Sequence, residues 1–167
     1  MKPQTNAVLA LYPNGRGYGY ALFDTPHNLL ACGVRTVRPF DSKKYIKRIE
    51  KDFADYKPAV ILLQDTKAKD SKRGKRIQDL MEEVGALALR HNLEVRYFSV
   101  EQIRVVFLDH KVETRFERAQ AIYRWLKAYK HMLPIYRKPW KNEHYNSAVF
   151  DAISLALTHF DYKIVYS

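Results

Sequence analysis

Short apolar runs open the chain. Ala7–Leu11 (AVLAL) reads as a buried strand, and Tyr12-Pro13-Asn14-Gly15 behind it as a turn, since Asn-Gly accommodates the positive φ of tight hairpins. Tyr18–Phe23 and Leu29–Val37 are two further extended stretches, so a three-stranded antiparallel meander is expected, with Cys32 a small buried residue of the third strand. The period then changes. Asp41 or Ser42 caps a helix to about Tyr56, on which Tyr45, Ile49 and Phe53 recur at helical spacing. Lys57-Pro58 stops it. Ala59–Leu63 (AVILL) is apolar without alternation, as in a strand covered on both faces, and ends in Gln64-Asp65-Thr66.

A basic loop follows, then a helix from about Lys75 to His91 with Ile77, Leu80, Met81, Val84, Leu87 and Ala88 as its apolar set. Glu94–Phe98 is the fifth strand. Ser99 with Gln102 forms a capping box for a short helix to about Leu108. Thr114 with Glu117 forms another, heading a helix with Phe116, Ala119, Tyr123 and Leu126 on one face. Lys130–His144 reads as irregular, and a last helix runs from about Asn146 to Phe160. The order predicts an α/β mixed five-stranded sheet: a three-strand antiparallel meander plus two parallel strands, flanked by helices. That is the order of the RNase H-like fold, and residues 1–167 read as one such domain.

Composition narrows the partners. The 167 residues suit a single core, and 47% apolar with 13% aromatic residues excludes a disordered polycation. Lys and Arg number 29 against 18 Asp and Glu, a net charge of +11, which favours polyanions. A single cysteine excludes an intrachain disulfide and a cysteine-based zinc cluster. No run has the length of a membrane span, and Met1–Asn6 is polar with no signal-peptide core behind it, so the expectation is a cytoplasmic protein with no membrane partner.

Asp151 is the strongest chemical signal, the one charged residue between Asn146 and Thr158 (NSAVFDAISLALT). Helical spacing puts it between Ala148 and Leu155, on a face directed at the sheet. A carboxylate there needs a cation or several donors; metal binding, catalysis, a salt bridge and helix-start amides all remain open. Asp65 follows a central strand at its carboxyl end, where open α/β sheets place their sites, although taken alone an ordinary strand-end turn, Asp65-Thr66, is the stronger reading. Glu143 and His144, in the loop before the last helix, are of types that bind Mg²⁺ or Mn²⁺ or shuttle protons, and are also ordinary solvated loop residues.

Two basic segments are candidates for nucleic acid. Lys67–Arg76 (KAKDSKRGKR) holds Lys67, Lys69, Lys72, Arg73, Lys75 and Arg76 against one Asp. Lys127–Lys141 carries Lys127, Lys130, Arg137, Lys138 and Lys141 without an acid, interleaved with Tyr129, Tyr136 and Trp140. Cations serve phosphates and the aromatics offer stacking on unpaired bases. A solvated loop and a small satellite core under Trp140 are the bland readings. The glycine-rich Asn14–Gly19 (NGRGYG) is a hairpin turn and has neither the spacing nor the following helix of a dinucleotide fingerprint.

Taken together, Val8-Leu9-Ala10-Leu11-Tyr12-Pro13-Asn14-Gly15 with Gly17-Tyr18-Gly19-Tyr20-Ala21 resembles the first hairpin of RuvC-type Holliday junction resolvases. Phe150-Asp151-Ala152-Ile153-Ser154-Leu155-Ala156-Leu157-Thr158-His159 resembles that family's last helix. Pro58–Gln64 is similar to its fourth strand, and Ser99–Leu108 with Thr114–Leu126 to the helical stretch behind it. The resemblance implies a homodimeric nuclease that cuts DNA junctions with Mg²⁺ or Mn²⁺, held by one acid on the first strand, one on the fourth and two at the last helix. At those positions this chain has Tyr12, Gln64, Ala148 and Asp151. Asp65 lies one residue beyond the fourth-strand position, and strand alternation sends it to the other face unless the strand has ended. The expectation is therefore a RuvC-like protein that binds nucleic acid, DNA rather than RNA, with a degraded or rearranged two-metal site and a preference for branched or structured DNA. An active nuclease using Asp151, Asp65, Glu143 and His144 is the alternative, and a dimeric scaffold without metal or nucleic acid the third.

Overall fold

The first strand is apolar on both faces because helices cover both sides of the sheet. In the computed structural model, which describes residues 6–25, 28–66, 73–104 and 147–160, β1 (Val8–Asn14) is central. It pairs antiparallel with β2 (Gly17–Thr25), which pairs antiparallel with β3 (Asn28–Thr36). On its other edge β1 runs parallel to β4 (Val60–Gln64), and β4 parallel to β5 (Glu94–Phe98). The sheet order is β3-β2-β1-β4-β5. This is the expected mixed sheet.

Alternation along the strands splits the core in two. Leu9, Leu11, Tyr18, Leu22, Ile61 and Leu63 pack with Tyr45, Ile49 and Phe53 of α1 (Ser42–Tyr56) and Leu80, Val84 and Leu87 of α2 (Lys75–Arg90). Val8, Ala10, Ala21, Phe23 and Leu62 pack on the other side against Val149, Ile153 and Leu157 of a C-terminal helix. The residues of Ala59–Leu63 with no polar partner in sequence are thus divided between two buried surfaces.

Element ends follow local chemistry. The Asp41 carboxylate accepts from the Lys43 and Lys44 amides and caps α1, which closes at Lys57 in the left-handed region (φ 48°) before Pro58. Ser99 and Gln102 form the reciprocal capping box at the start of α3 (Val100–Arg104), at 3.2 and 2.8 Å. The continuation to Leu108, the Thr114–Leu126 helix and the Lys130–His144 segment lie outside the described residues.

The first hairpin differs from expectation. β1 does not end at Leu11: Tyr12, Pro13 and Asn14 stay paired with Gly19, Tyr18 and Gly17, and the turn is Gly15-Arg16. The positive φ falls on Gly17 (151°), where an added Cβ would lie 1.8 Å from the Arg35 carbonyl oxygen. Pro13 is tolerated because β4 accompanies β1 only from Val8 to Ala10, so the edge along Pro13 has no ladder to break.

The C-terminal helix, α4 (Ser147–His159), is apolar nearly all round because it lies against β2, β1 and β4. Its interior hydroxyls are satisfied within the helix, Ser154 donating to the Phe150 carbonyl (2.9 Å) and Thr158 to that of Ser154 (2.8 Å). His159 ends it, ring against Phe98 and Phe160, with Nδ1 buried and unpartnered among the described residues. Burial, aided by Arg96, holds its pKa below the ordinary 6.5. The unfolded chain therefore binds this proton more readily, and the His159 contribution to stability is lost as pH falls through that value. Urea unfolding between ~pH 7.5 and ~pH 5.5 is expected to show a weaker pH dependence in His159→Phe than in the wild type. Parallel curves would refute the assignment.

Candidate functional site

Two parallel strands bring their carboxyl ends together, and the loop between β4 and α2 starts there. Residues of one parity, Tyr12 on β1 and Gln64 on β4, continue the rows of Ala10 and Leu62 toward α4. Gln64 is only 4% exposed. Gly19, the β2 partner of Tyr12, lets α4 approach until its Ala148 backbone lies where a Cβ would otherwise be, 2.2 Å from the built position. Tyr12 and Gln64 thereby face α4 at the end of β1, the first turn of α4 lies against Gly19 beside them, and Asp151 follows Ala148 one helical turn along α4. Asp151 is half-buried and engaged in an interaction of its own. Its helical neighbours Ala148, Ala152 and Leu155 are fully buried, as the spacing predicts.

A cation joins Tyr12 and Gln64. Arg73 donates from Nη2 to the Pro13 carbonyl and from Nη1 to Gln64 Oε1 (3.3 Å), and its guanidinium lies 4.6 Å from the centroid of the Tyr12 ring. Gln78, in the first turn of α2, donates to the Arg73 carbonyl (2.9 Å) and fixes the backbone. Sequence groups Arg73 with the phosphate-facing cations of its loop; the fold turns it inward. The other described members face outward, Lys75 pairing with Asp79 (3.1 Å) and Arg76 lying 4.1 Å over the Phe40 ring.

Asp65 goes elsewhere. β4 ends at Gln64, and the Asp65 amide donates to the Phe98 carbonyl (2.8 Å), continuing the pairing with β5. Asp65 lines a pocket of about 260 Å³ with Thr66, Met81, Glu82 and Tyr97. Met81 belongs to the core under α2, so this pocket is on the α2 side while Asp151 rides on α4. The structure brings Asp65 beside Glu82 and leaves Asp151 on the helix that covers the other face of the sheet. Lys67, Lys69, Lys72, Arg137, Lys138, Trp140, Lys141, Glu143 and His144 lie outside the described residues.

A pair of divalent ions does not fit the residues that are described. Mg²⁺ and Mn²⁺ require anionic oxygens, and the described partners of the guanidinium at the end of β1 are a phenol ring, a neutral amide and a backbone carbonyl. Among the described residues no three His, Cys, Asp or Glu come together as a metal site.

Asp52 is a polar centre that sequence contrast does not single out. It is fully buried in α1 and meets the Tyr18 hydroxyl, Arg35 Nη2 (3.1 Å) and Arg48 Nη1 (3.4 Å). Burial first and the Asp52 hydrogen bond second push the Tyr18 pKa far up. The signal was available: Asp52 stands on the stripe of Tyr45, Ile49 and Phe53, where a carboxylate is as anomalous as Asp151 is on its helix.

No family model matches the sequence, and no curated protein matches it. Solved structures do. Thermus thermophilus RuvC aligns over 92% of this chain and 92% of its own at 16% identity and a TM-score of 0.63. T. thermophilus RuvC in complex with Holliday junction substrate gives 17% identity and 0.61 over the same shares. The yeast mitochondrial Holliday junction resolvase Ydc2 gives 12% and 0.64 over 96% of this chain and 79% of its own. With its five-stranded order and α4 against β1 and β2, the chain has the RNase H-like fold of the RuvC-type resolvases.

Proposed function

We propose that this chain is a RuvC-like DNA-binding protein that recognises branched or structured DNA without cutting it. The observation that carries the reading is the end of β1: Tyr12 and Gln64 are occupied with Arg73, and no carboxylate cluster surrounds them among the described residues. Two further facts support it. The net charge of +11 favours a polyanion, and the solved structures of like fold include RuvC bound to a Holliday junction. Lys67, Lys69, Lys72, Lys75 and Arg76 follow β4 in sequence, and with Arg137, Lys138, Trp140 and Lys141 they are the residues assigned to backbone and base contacts. A homodimer, as the resemblance implies, would present two such surfaces to one branched molecule.

Labelled four-way junction, fork, duplex, single strand and RNA–DNA hybrid, each incubated in Mn²⁺ or in EDTA beside an Asp151→Ala control, test this. The expected outcome is a shift that ranks junction and fork above duplex, persists in EDTA, survives added salt, and leaves every strand intact. Mn²⁺-dependent cuts that vanish in Asp151→Ala would establish the nuclease instead, with Asp151, Asp65, Glu143 and His144 as its candidate ligands. Binding without structural preference that disappears at moderate salt would leave a scaffold. Among the described residues no helix is long and apolar enough to cross a membrane.

A further inference from the structure

Loss of carboxylates from a metal site explains why metal would bind weakly there. It does not explain why a guanidinium now sits in that place. We infer that Arg73 is the resident cation of the β1–β4 end and keeps divalent ions out of it, so that the site is metal-free by charge as well as by lack of ligands. The inference rests on the reading above that this is no two-metal centre, and it assigns what has taken the metal's place.

Four observations converge on Arg73. Its guanidinium spans the two strand ends, from the Pro13 carbonyl to Gln64 Oε1. The Gln64 side chain is 4% exposed, so its oxygen is committed to an internal donor and not to solvent. The Tyr12 ring presents its face to the cation at 4.6 Å, the geometry in which an aromatic quadrupole attracts positive charge. Finally, the Gln78 side chain holds the Arg73 carbonyl, so the residue enters this place from a fixed backbone. Each of these partners is neutral. A phenol ring, an amide oxygen and a backbone carbonyl suit a delocalised, weakly hydrated monovalent cation, whereas a compact divalent ion demands carboxylates. A divalent ion entering beside a held guanidinium meets repulsion that a partly buried location screens poorly.

The inference separates two kinds of loss. If only the ligands were missing, returning them would return the metal. If Arg73 guards the site, new carboxylates at these positions pair with its guanidinium, and metal binds only once the cation is removed. Mn²⁺ is titrated calorimetrically into wild type, Tyr12→Asp/Gln64→Glu, and that pair combined with Arg73→Ala. A second triple variant with Arg73→Gln retains hydrogen bonding without charge, should the alanine variant fold poorly. The double variant is expected to bind Mn²⁺ no better than wild type, and a triple variant to bind it at least ~10-fold more tightly than the double. Equal Mn²⁺ affinity in double and triple variants would overturn the inference, whether both bind or neither does. So would a wild-type Mn²⁺ site that Asp151→Asn removes. None of these titrations contains DNA, so failure of junction binding and failure of the guard are scored separately.

Discussion

Replacing Asp52 with alanine is expected to lower the unfolding free energy by about 3–5 kcal/mol, the loss seen when one member of a buried charge network is removed. The carboxylate is wholly inaccessible, and three groups converge on it. Arg35 and Arg48 are themselves about a quarter to a third exposed, with side-chain exposures of 26% and 30%, so their attraction alone would contribute little. The large term comes from the far side of the network. Tyr18 is fully buried, and without Asp52 its hydroxyl loses its partner in an apolar setting. Arg35 adds a second dependence, since it also donates to the Tyr56 hydroxyl (3.2 Å) and lies 4.4 Å over the Tyr20 ring. Burial alone would depress the Arg35 pKa, yet the Asp52 charge turns the net shift upward. Urea titration reads the effect as a lower midpoint at unchanged m-value. Tyr18→Phe, which removes one donor and leaves the carboxylate with both guanidinium groups, is expected to cost about 1–2 kcal/mol. A loss of less than about 1 kcal/mol in Asp52→Ala would show that the network is a solvated surface pair.

The difference between Asp52 and Asp151 explains what sequence could deliver here. Both break an apolar helical stripe, and only one stands out, because Asp151 is in a helix with no other charge while Asp52 is among lysines, arginines and acids. Spacing would have found it; contrast did not. The order of elements along the chain, the α2 face and the Ser99–Gln102 box follow from period and capping chemistry, which are local. The end of β1 did not follow, since whether Tyr12 and Pro13 turn or stay paired depends on β2 and on the missing β4 partner. Arg73 lay further from reach. Within KAKDSKRGKR nothing distinguishes it from its neighbours; only the tertiary position of Gln64 and Pro13 selects it. One hint lies in the resemblance: it implies acids where this chain, rich in cations, has Tyr12 and Gln64, and a neighbouring cation suits those neutral side chains. The side of the sheet on which Asp65 falls depended likewise on where β4 stops.

Gly19→Ala is expected to cost about 3 kcal/mol, the upper end of what overpacking a core does. The added Cβ would stand 2.2 Å from the carbonyl carbon and oxygen of Ala148 and 2.6 Å from the Val149 nitrogen. All three are backbone atoms, so no rotamer can make room, and α4 itself must withdraw from the sheet. That helix supplies Val149, Phe150, Ala152, Ile153, Ala156 and Leu157 to one of the two cores, and lifting its first turn opens that core at one end. Gly33→Ala is the matched comparison. Its Cβ would meet the Tyr20 hydroxyl at 3.0 Å and the ring carbons at 3.2 and 3.3 Å, a side chain that can yield. Amide exchange gives a second readout: residues Ala152–Leu157 should lose protection in Gly19→Ala and keep it in Gly33→Ala. A Gly19→Ala variant within about 0.5 kcal/mol of wild type, with α4 still protected, would show that the close approach is not required. The consequence reaches the candidate site, because Gly19 pairs with Tyr12 and Ala148 precedes Asp151 by one helical turn. One glycine therefore sets how near the first turn of α4 comes to the strand pair that carries Tyr12, and a displaced α4 should weaken any DNA recognition that uses both strand ends and the helix together.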